Sequence, residues 1–250
     1  MIRISGGKNL VNGLIVTSYT FFCIGMSVVI SSSVMSARLA GVAGSVDVSK
    51  NPVLLKQGIE ALNAFEERNA HVADRDFITK NQNALFSDFR SSPRDPKDGR
   101  VVAEFIDYNC TFCKRAHREL ESASADGKPL QMVVHQIPIL TDSSRTAARA
   151  ALAASMQGKF EIVHRLLMNS RTIDQESISV ILRQAGVDLT RARRDMFGAE
   201  VDSALKRDAQ LAKEMGITGT PIFITSAKVY RGYLKDDLVK DLEIDLHDAK

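Results

Sequence analysis

The sequence predicts an α/β fold with a helical block inserted between its strands and a helical extension ahead of it. Three observations carry that expectation. An almost wholly apolar run, Val101 to Asp107, has the look of a strand buried on both faces, and it leads through Cys110-Thr111-Phe112-Cys113 into a helical pattern from Lys114 to Glu121. After a second strand the pattern turns helical for roughly 75 residues. The helical stretch ends at Gly216-Ile217-Thr218-Gly219-Thr220-Pro221, and a short strand and its hairpin partner follow.

The front of the chain reads as a targeting segment. Residues 9–37 hold no charged residue, and Arg3 and Lys8 precede them. This is the pattern of a secretory signal or of an uncleaved anchor, and the run is long enough to cross a bilayer core of about 30 Å. Gly41-Val42-Ala43 offers small residues for cleavage after Ala43, so residues 1–43 are expected to be a signal peptide or membrane anchor. Either outcome places the rest outside the cytoplasm: a periplasmic protein, or one tethered to the inner membrane by residues 9–37. Cys23 lies inside this run and is expected to pack as a small hydrophobe.

Residues 44–97 read as an N-terminal helical arm and linker. Asn51-Pro52 is a helix start, with Asn as cap and Pro at the first helical position. Leu55, Ile59, Leu62 and Phe65 form one apolar stripe, and Phe77, Ile78, Leu85, Phe86 and Phe89 form a second apolar run. Such a stripe packs on its own domain or makes a homo-oligomer, here through residues 52–89. Ser91 to Gly99 is a linker by composition.

Residues 98–250 read as the main domain, with the helical insertion at about 141–215. Glu104 is the one carboxylate in the first strand, six residues before Cys110. It is either a buried proton acceptor with a raised pKa or a strand-end residue reaching water. The run Gln131 to Leu140 holds the second strand, which is expected to end at Pro138. Ala147 to Ala154 is strongly helix-forming, and Phe160, Val163, His164, Leu166 and Leu167 follow at helical spacing. His164 is read as a packed histidine rather than a ligand. Ser177 to Ala185 and Asp202 to Met215 are further helices, Ile222 to Thr225 and Lys228 to Tyr233 a hairpin, and Asp236 to Leu246 a closing helix. Pro221, at a strand start after Gly-Thr, is a candidate cis proline. A cis bond would turn the Thr220 backbone toward a substrate strand for main-chain hydrogen bonding.

The chemistry is concentrated in the Cys-x-x-Cys pair. A helix N-terminus carries partial positive charge and unpaired N–H groups, which favour a thiolate at Cys110. Cys113 sits one turn along, within reach of a mixed disulfide on Cys110. One pair is too few for a disulfide scaffold. The net charge of +3 matches the three basic residues of the first 43, which hold no acid, so the body is neutral and gives no reason to expect nucleic acid.

Glu104-Phe105-Ile106-Asp107-Tyr108-Asn109-Cys110-Thr111-Phe112-Cys113-Lys114-Arg115, Ala147 to Ala154 with Gln157-Gly158-Lys159-Phe160, and Gly216 to Pro221 together resemble the DsbA family. The likeness is to the branch with the copper-tolerance-linked disulfide isomerases and related outer-membrane-associated proteins. It implies a thioredoxin fold with an inserted helical domain and an N-terminal helical extension. It implies Cys110 as nucleophile, Cys113 as resolving thiol, Glu104 as the buried acid and Pro221 in cis beside the cysteines. Thr220, Pro221, Thr111 and Phe112 are the expected substrate-binding residues. No metal or organic cofactor is expected. The expected partners are unfolded or misoxidised secreted proteins and a membrane redox partner that resets the pair. Thr225 to Gly232 departs from the family pattern in being polar and basic.

Two other function classes compete. Cys110, Cys113 and His117 lie at i, i+3 and i+7, roughly one helix face that could hold Cu(I) or zinc, although a closed zinc site usually has four ligands. His117 otherwise reads as a surface residue flanking that helix. A holdase acting through the helical arm is the third class.

Overall fold

The first strand, β1 (Val101–Ile106), is buried from its second residue onward, as its apolar run requires. In this computed structural model the described residues are 51–87, 101–126, 131–233, 240 and 242. Among them, α1 (Pro52–Phe86) precedes β1, which is followed by α2 (Thr111–Asp126) and β2 (Gln131–Gln136). Five helices come next: α3 (Asp142–Ser155), α4 (Phe160–Asn169), α5 (Gln175–Gln184), α6 (Leu189–Asp195) and α7 (Ala199–Glu214). The hairpin strands β3 (Ile222–Ile224) and β4 (Val229–Arg231) complete the order. The targeting segment with Cys23, the linker and Phe89 lie outside the described residues, as does the closing helix apart from residues 240 and 242.

The sheet has the order β2-β1-β3-β4. β1 runs parallel to β2, pairing Glu104 with Val134, and antiparallel to β3, pairing Glu104 with Phe223. Side chains alternate across a strand, so Val102, Glu104 and Ile106 share one face while Ala103 and Phe105 share the other. Val102 packs with Ala116 and Leu120 of α2 and with Phe223, Tyr230 and Leu242. Ala103 and Phe105 pack with Ile78 and Leu85 of α1 and Leu211 of α7. Each large apolar side chain so buried contributes about 1.5–3 kcal/mol. Glu104 thereby falls on the face that carries α2 and the cysteines.

The chain divides into two units, Met1–Glu66 and Glu67–Lys250. In the first, α1 starts as expected: Asn51 Oδ1 accepts from the Leu54 N–H at 3.2 Å. Leu55, Ile59, Leu62 and Phe65 are about half exposed there. In the second unit, α1 bends at Asn81, whose φ/ψ of −111°/17° is non-helical and whose Nδ2 donates to Phe77 O at 3.0 Å. Arg231 grips Asp74 with two bonds of 2.7 and 2.6 Å, fastening this part of α1 to β4. His135 does the same on the other edge, bonded through its two ring nitrogens to Asp208 of α7 and Leu85 O, each at 3.0 Å.

β2 ends at Gln136, two residues short of the expected end at Pro138. Beyond it the Ile139 and Leu140 N–H groups turn to the Asp107 carboxylate, both at 2.9 Å, and so cannot continue a ladder. The helical insertion stands as expected, with α6 in addition. That helix is capped by Asp188, which accepts from the Arg191 N–H at 3.0 Å, but its Arg-rich seven residues show little apolar period. In α3 the alanines 147, 148, 150, 151, 153 and 154 are all buried, and their small side chains let neighbouring helices approach closely. No helix among the described residues is long and apolar enough to cross a membrane.

Candidate active site

Cys110 occupies the N-cap position of α2. Its carbonyl accepts the first helical bond from Lys114 N at 3.1 Å, and its sulfur accepts from the Cys113 N–H at 3.3 Å. That is the bond a capping Ser or Asp oxygen makes to the third helical residue. Cys110 is 6% exposed, Cys113 fully buried, and both are free thiols. Hydrogen bonding from the Cys113 side chain is the largest influence on Cys110, opposed by burial and reinforced by Thr220 and the helix N–H groups, and it brings the thiol from 9.0 down to about 6. Burial drives Cys113 the opposite way, well above the ordinary thiol range, and the bond to Cys110 adds to this. The pair is thus split into one thiolate-ready sulfur and one that keeps its proton.

Across from them the Thr220–Pro221 peptide bond is cis. The Cys110 thiol donates to Thr220 O at 3.2 Å, and Gly232 N donates to Pro221 O at 2.9 Å. Thr220 is half-buried and Pro221 buried. Thr111 is exposed, and so is Phe112, at 54%. The Phe112 ring stacks on Tyr233 with centroids 6.3 Å apart, and the Arg115 guanidinium lies 5.7 Å from its centre.

Glu104 is 2% exposed, and its Oε1 has no hydrogen-bond partner. Burial first, then the charge on Cys110, raise its carboxyl from 4.5 to about 8. The same carboxylate helps to raise Cys113. Glu104, Cys110, Cys113, Thr220 and Pro221 are therefore brought together, while Thr111 and Phe112 form the outer surface.

Several residues that shape this site had no sequence signal of their own. Asp107 is buried; its Oδ1 accepts from Asn109 N at 2.7 Å and its Oδ2 from the Ile139 and Leu140 N–H groups. Asn109 Nδ2 reaches the hydroxyls of Thr141, Ser143 and Ser144 at 2.9, 3.0 and 3.0 Å, tying the cysteine loop to the start of α3. Tyr108 links the loop to α4. Gln136 Nε2 donates to the phenol oxygen at 3.1 Å, so the phenol proton goes to His164 Nδ1, also 3.1 Å away. His164 is buried and held neutral, at about 3, by burial and by the nearby His117. Their Asx and aromatic identities are common to many loops, and only the folded chain shows their partners.

His117 is not the surface residue its helix position suggests. Its side chain is 12% exposed and its ring stands edge to face with His164, centroids 5.1 Å apart. Its Nε2 lies 3.4 Å from Glu121 Oε1, too poorly aligned for a hydrogen bond. Among the described residues no three of His, Cys, Asp or Glu gather as a metal site would need, and the Cys110, Cys113 and His117 set does not form one.

A family model for the DSBA-like thioredoxin domain matches residues 101–241. A thioredoxin-like oxidoreductase from Silicibacter pomeroyi DSS-3 is 31% identical, covering 68% of this chain and 99% of that one, with a TM-score of 0.61. The catalytic domain of Proteus mirabilis ScsC is 23% identical over 69% of this chain and 97% of its own, with a TM-score of 0.60, a likeness of fold. Curated relatives include a Na(+)/H(+) antiporter NhaA 3 of Salinispora tropica, 29% identical over 150 residues, which are 57% of this chain and 22% of that protein. The chain thus spans about a fifth of the length of the curated relatives it matches. The matched region holds β1, the Cys-x-x-Cys turn, the helical insertion and the cis-proline loop, and on that ground the chain belongs to the DSBA-like thioredoxin domain family.

Proposed function

We propose that the protein is a thiol–disulfide oxidoreductase acting through Cys110 and Cys113 on cysteines of other polypeptides. The observation that carries this reading is the placement of two free thiols within one helical turn, the Cys110 sulfur accepting from the Cys113 N–H at 3.3 Å and lying 3.2 Å from Thr220 O beside the cis proline, an arrangement that lowers Cys110 and raises Cys113. In the reducing direction the Cys110 thiolate attacks one sulfur of a substrate disulfide. The substrate S–S bond breaks, its second sulfur leaves as a thiolate, and a mixed disulfide forms. With the Cys110 charge spent in the mixed disulfide, the ionised fraction of Glu104 takes the Cys113 proton, and the Cys113 sulfur attacks the Cys110 sulfur. The mixed disulfide breaks, the substrate leaves with both electrons, and Cys110–Cys113 closes. In the oxidising direction the same steps run backward. If substrate thiols recapture the mixed disulfide first, the net result is isomerisation.

The half-buried Thr220 backbone beside Pro221 supplies the strand on which substrate backbone would pair, with Thr111 and Phe112 against its side chains. The resemblance to DsbA-type proteins, together with the uncharged run at residues 9–37, supports an exported, periplasmic enzyme working on secreted proteins and reset by a membrane redox partner. The half-exposed stripe of Leu55, Ile59, Leu62 and Phe65 supports self-association through the arm. The test is reduction of insulin and refolding of a protein with scrambled disulfides. Both activities are expected above background, and both are expected to vanish in Cys110→Ser. Activity that persists in that variant would exclude the reading.

A further inference from the structure

Two of the loops that frame Cys110 have a second boundary, away from the sulfur. Residues 137–139 run on from β2 to the Asp107 carboxylate, and residues 216–218 run into Thr220. Between these loops, α3 and α7 lies a cavity of about 610 Å³. That volume is within the range of about 300–1,000 Å³ found for ligand sites. Its lining is apolar at Ile137, Leu205 and Ile217. Its border is basic: Arg145 on α3 and Lys206 and Lys213 on α7 are exposed. Among the described lining residues Asp202 is the only acid, and its charge is already met by Arg149 at 2.6 Å. Among the described residues the cavity therefore combines an apolar floor with three cationic groups and no free acid in its lining.

We propose that this cavity is a docking subsite for an acidic polypeptide segment, taking one apolar side chain into the floor and setting its Asp or Glu neighbours against Arg145, Lys206 and Lys213. The inference rests on the reading of Cys110 as the sulfur that attacks cysteines in polypeptides, because the two loops that border the cavity are those that lead to Asp107 and Thr220 at the cysteine turn. Burial of an apolar side chain supplies affinity, and the positive rim draws carboxylates and repels basic segments. The subsite thus selects which polypeptides are held near Cys110, without touching the reacting atoms.

The test uses the full chain carrying Cys110→Ser and Cys113→Ser, so that binding is read apart from exchange. A labelled peptide with a Leu-Phe centre flanked by glutamates is compared with its glutamine counterpart by fluorescence anisotropy. The acidic peptide is expected to bind about 10-fold tighter at low salt, and the margin to shrink at about 0.5 M salt. The combined variant Arg145→Gln, Lys206→Gln, Lys213→Gln is expected to abolish the margin. Ala209→Trp, which fills the cavity from an exposed position of its lining, is expected to weaken both peptides. Equal affinity for the two peptides, a margin that survives the triple variant, or tight binding of laurate that excludes neither peptide overturns the proposal. Failure of the oxidoreductase reading shows separately, as absent exchange between the unmodified chain and a small disulfide.

Discussion

The main-chain N–H of Cys113 points at the sulfur of Cys110 from 3.3 Å, so the first residue of the motif caps the helix that holds the second. A spacing of three is the spacing from a cap to the N–H it satisfies. The Cys-x-x-Cys interval thus places both sulfurs and, with the same bond, favours negative charge on the first.

Cys110 is expected to titrate near 6, read as the rise of thiolate absorbance in the ultraviolet. Cys113→Ala removes the largest influence lowering it, so its midpoint is expected to move up toward the ordinary thiol value. The folded-state value lies below the unfolded one, so this group adds stability to the reduced protein that is complete above about 9. That stability is lost as pH falls through about 6. An unchanged midpoint in Cys113→Ala would contradict this account of the thiolate.

Glu104 is displaced the other way, from 4.5 to about 8. The folded chain keeps a proton that the unfolded chain releases, so stability is expected to fall as pH rises from about 4.5 to about 8, and to level off beyond. Glu104→Gln is expected to remove that slope and to raise stability at neutral pH by about 2–3 kcal/mol, measured by denaturant unfolding at several pH values. The same variant is expected to slow resolution of the mixed disulfide by about 10- to 100-fold, read by acid quench and thiol labelling. A variant that unfolds with the unaltered slope would show that Glu104 is solvated.

Asn109→Ala takes away three contacts that hold the cysteine loop to α3. A loss of about 1–2 kcal/mol is expected in thermal or denaturant unfolding. The Cys110 midpoint should also move, because the loop sets where the sulfur meets the helix N–H groups. Lost stability with an unmoved midpoint would show that Asp107 alone holds the loop.

Leu55→Glu, Ile59→Glu and Leu62→Glu together charge the exposed stripe of α1. Sedimentation is expected to show an oligomer for the unaltered chain and a monomer for this variant, with exchange against a small disulfide unchanged. A monomer in both cases would end the self-association reading.

What could be read from the residues is whatever depends on local pattern. The cysteine spacing, the apolar strand before it, the alanine-rich helix and the Gly-Thr-Pro turn each specify their own conformation within a few positions, so the fold class and the candidate cysteine pair were legible. Two-residue alternation even put Glu104 on the face of Val102 and Ile106 once β1 was known to be a strand. The partners that tune the site depend on tertiary structure, because they come from residues dozens apart: Thr220 O for Cys110, the start of α3 for Asn109, α4 for Tyr108, α7 for His135. A hydrogen bond between distant segments leaves no period in either one, and a buried carboxylate looks like a solvated one until its surroundings close over it. The early end of β2 and the partial burial of His117 were decided in the same way, by neighbours that only the folded chain supplies.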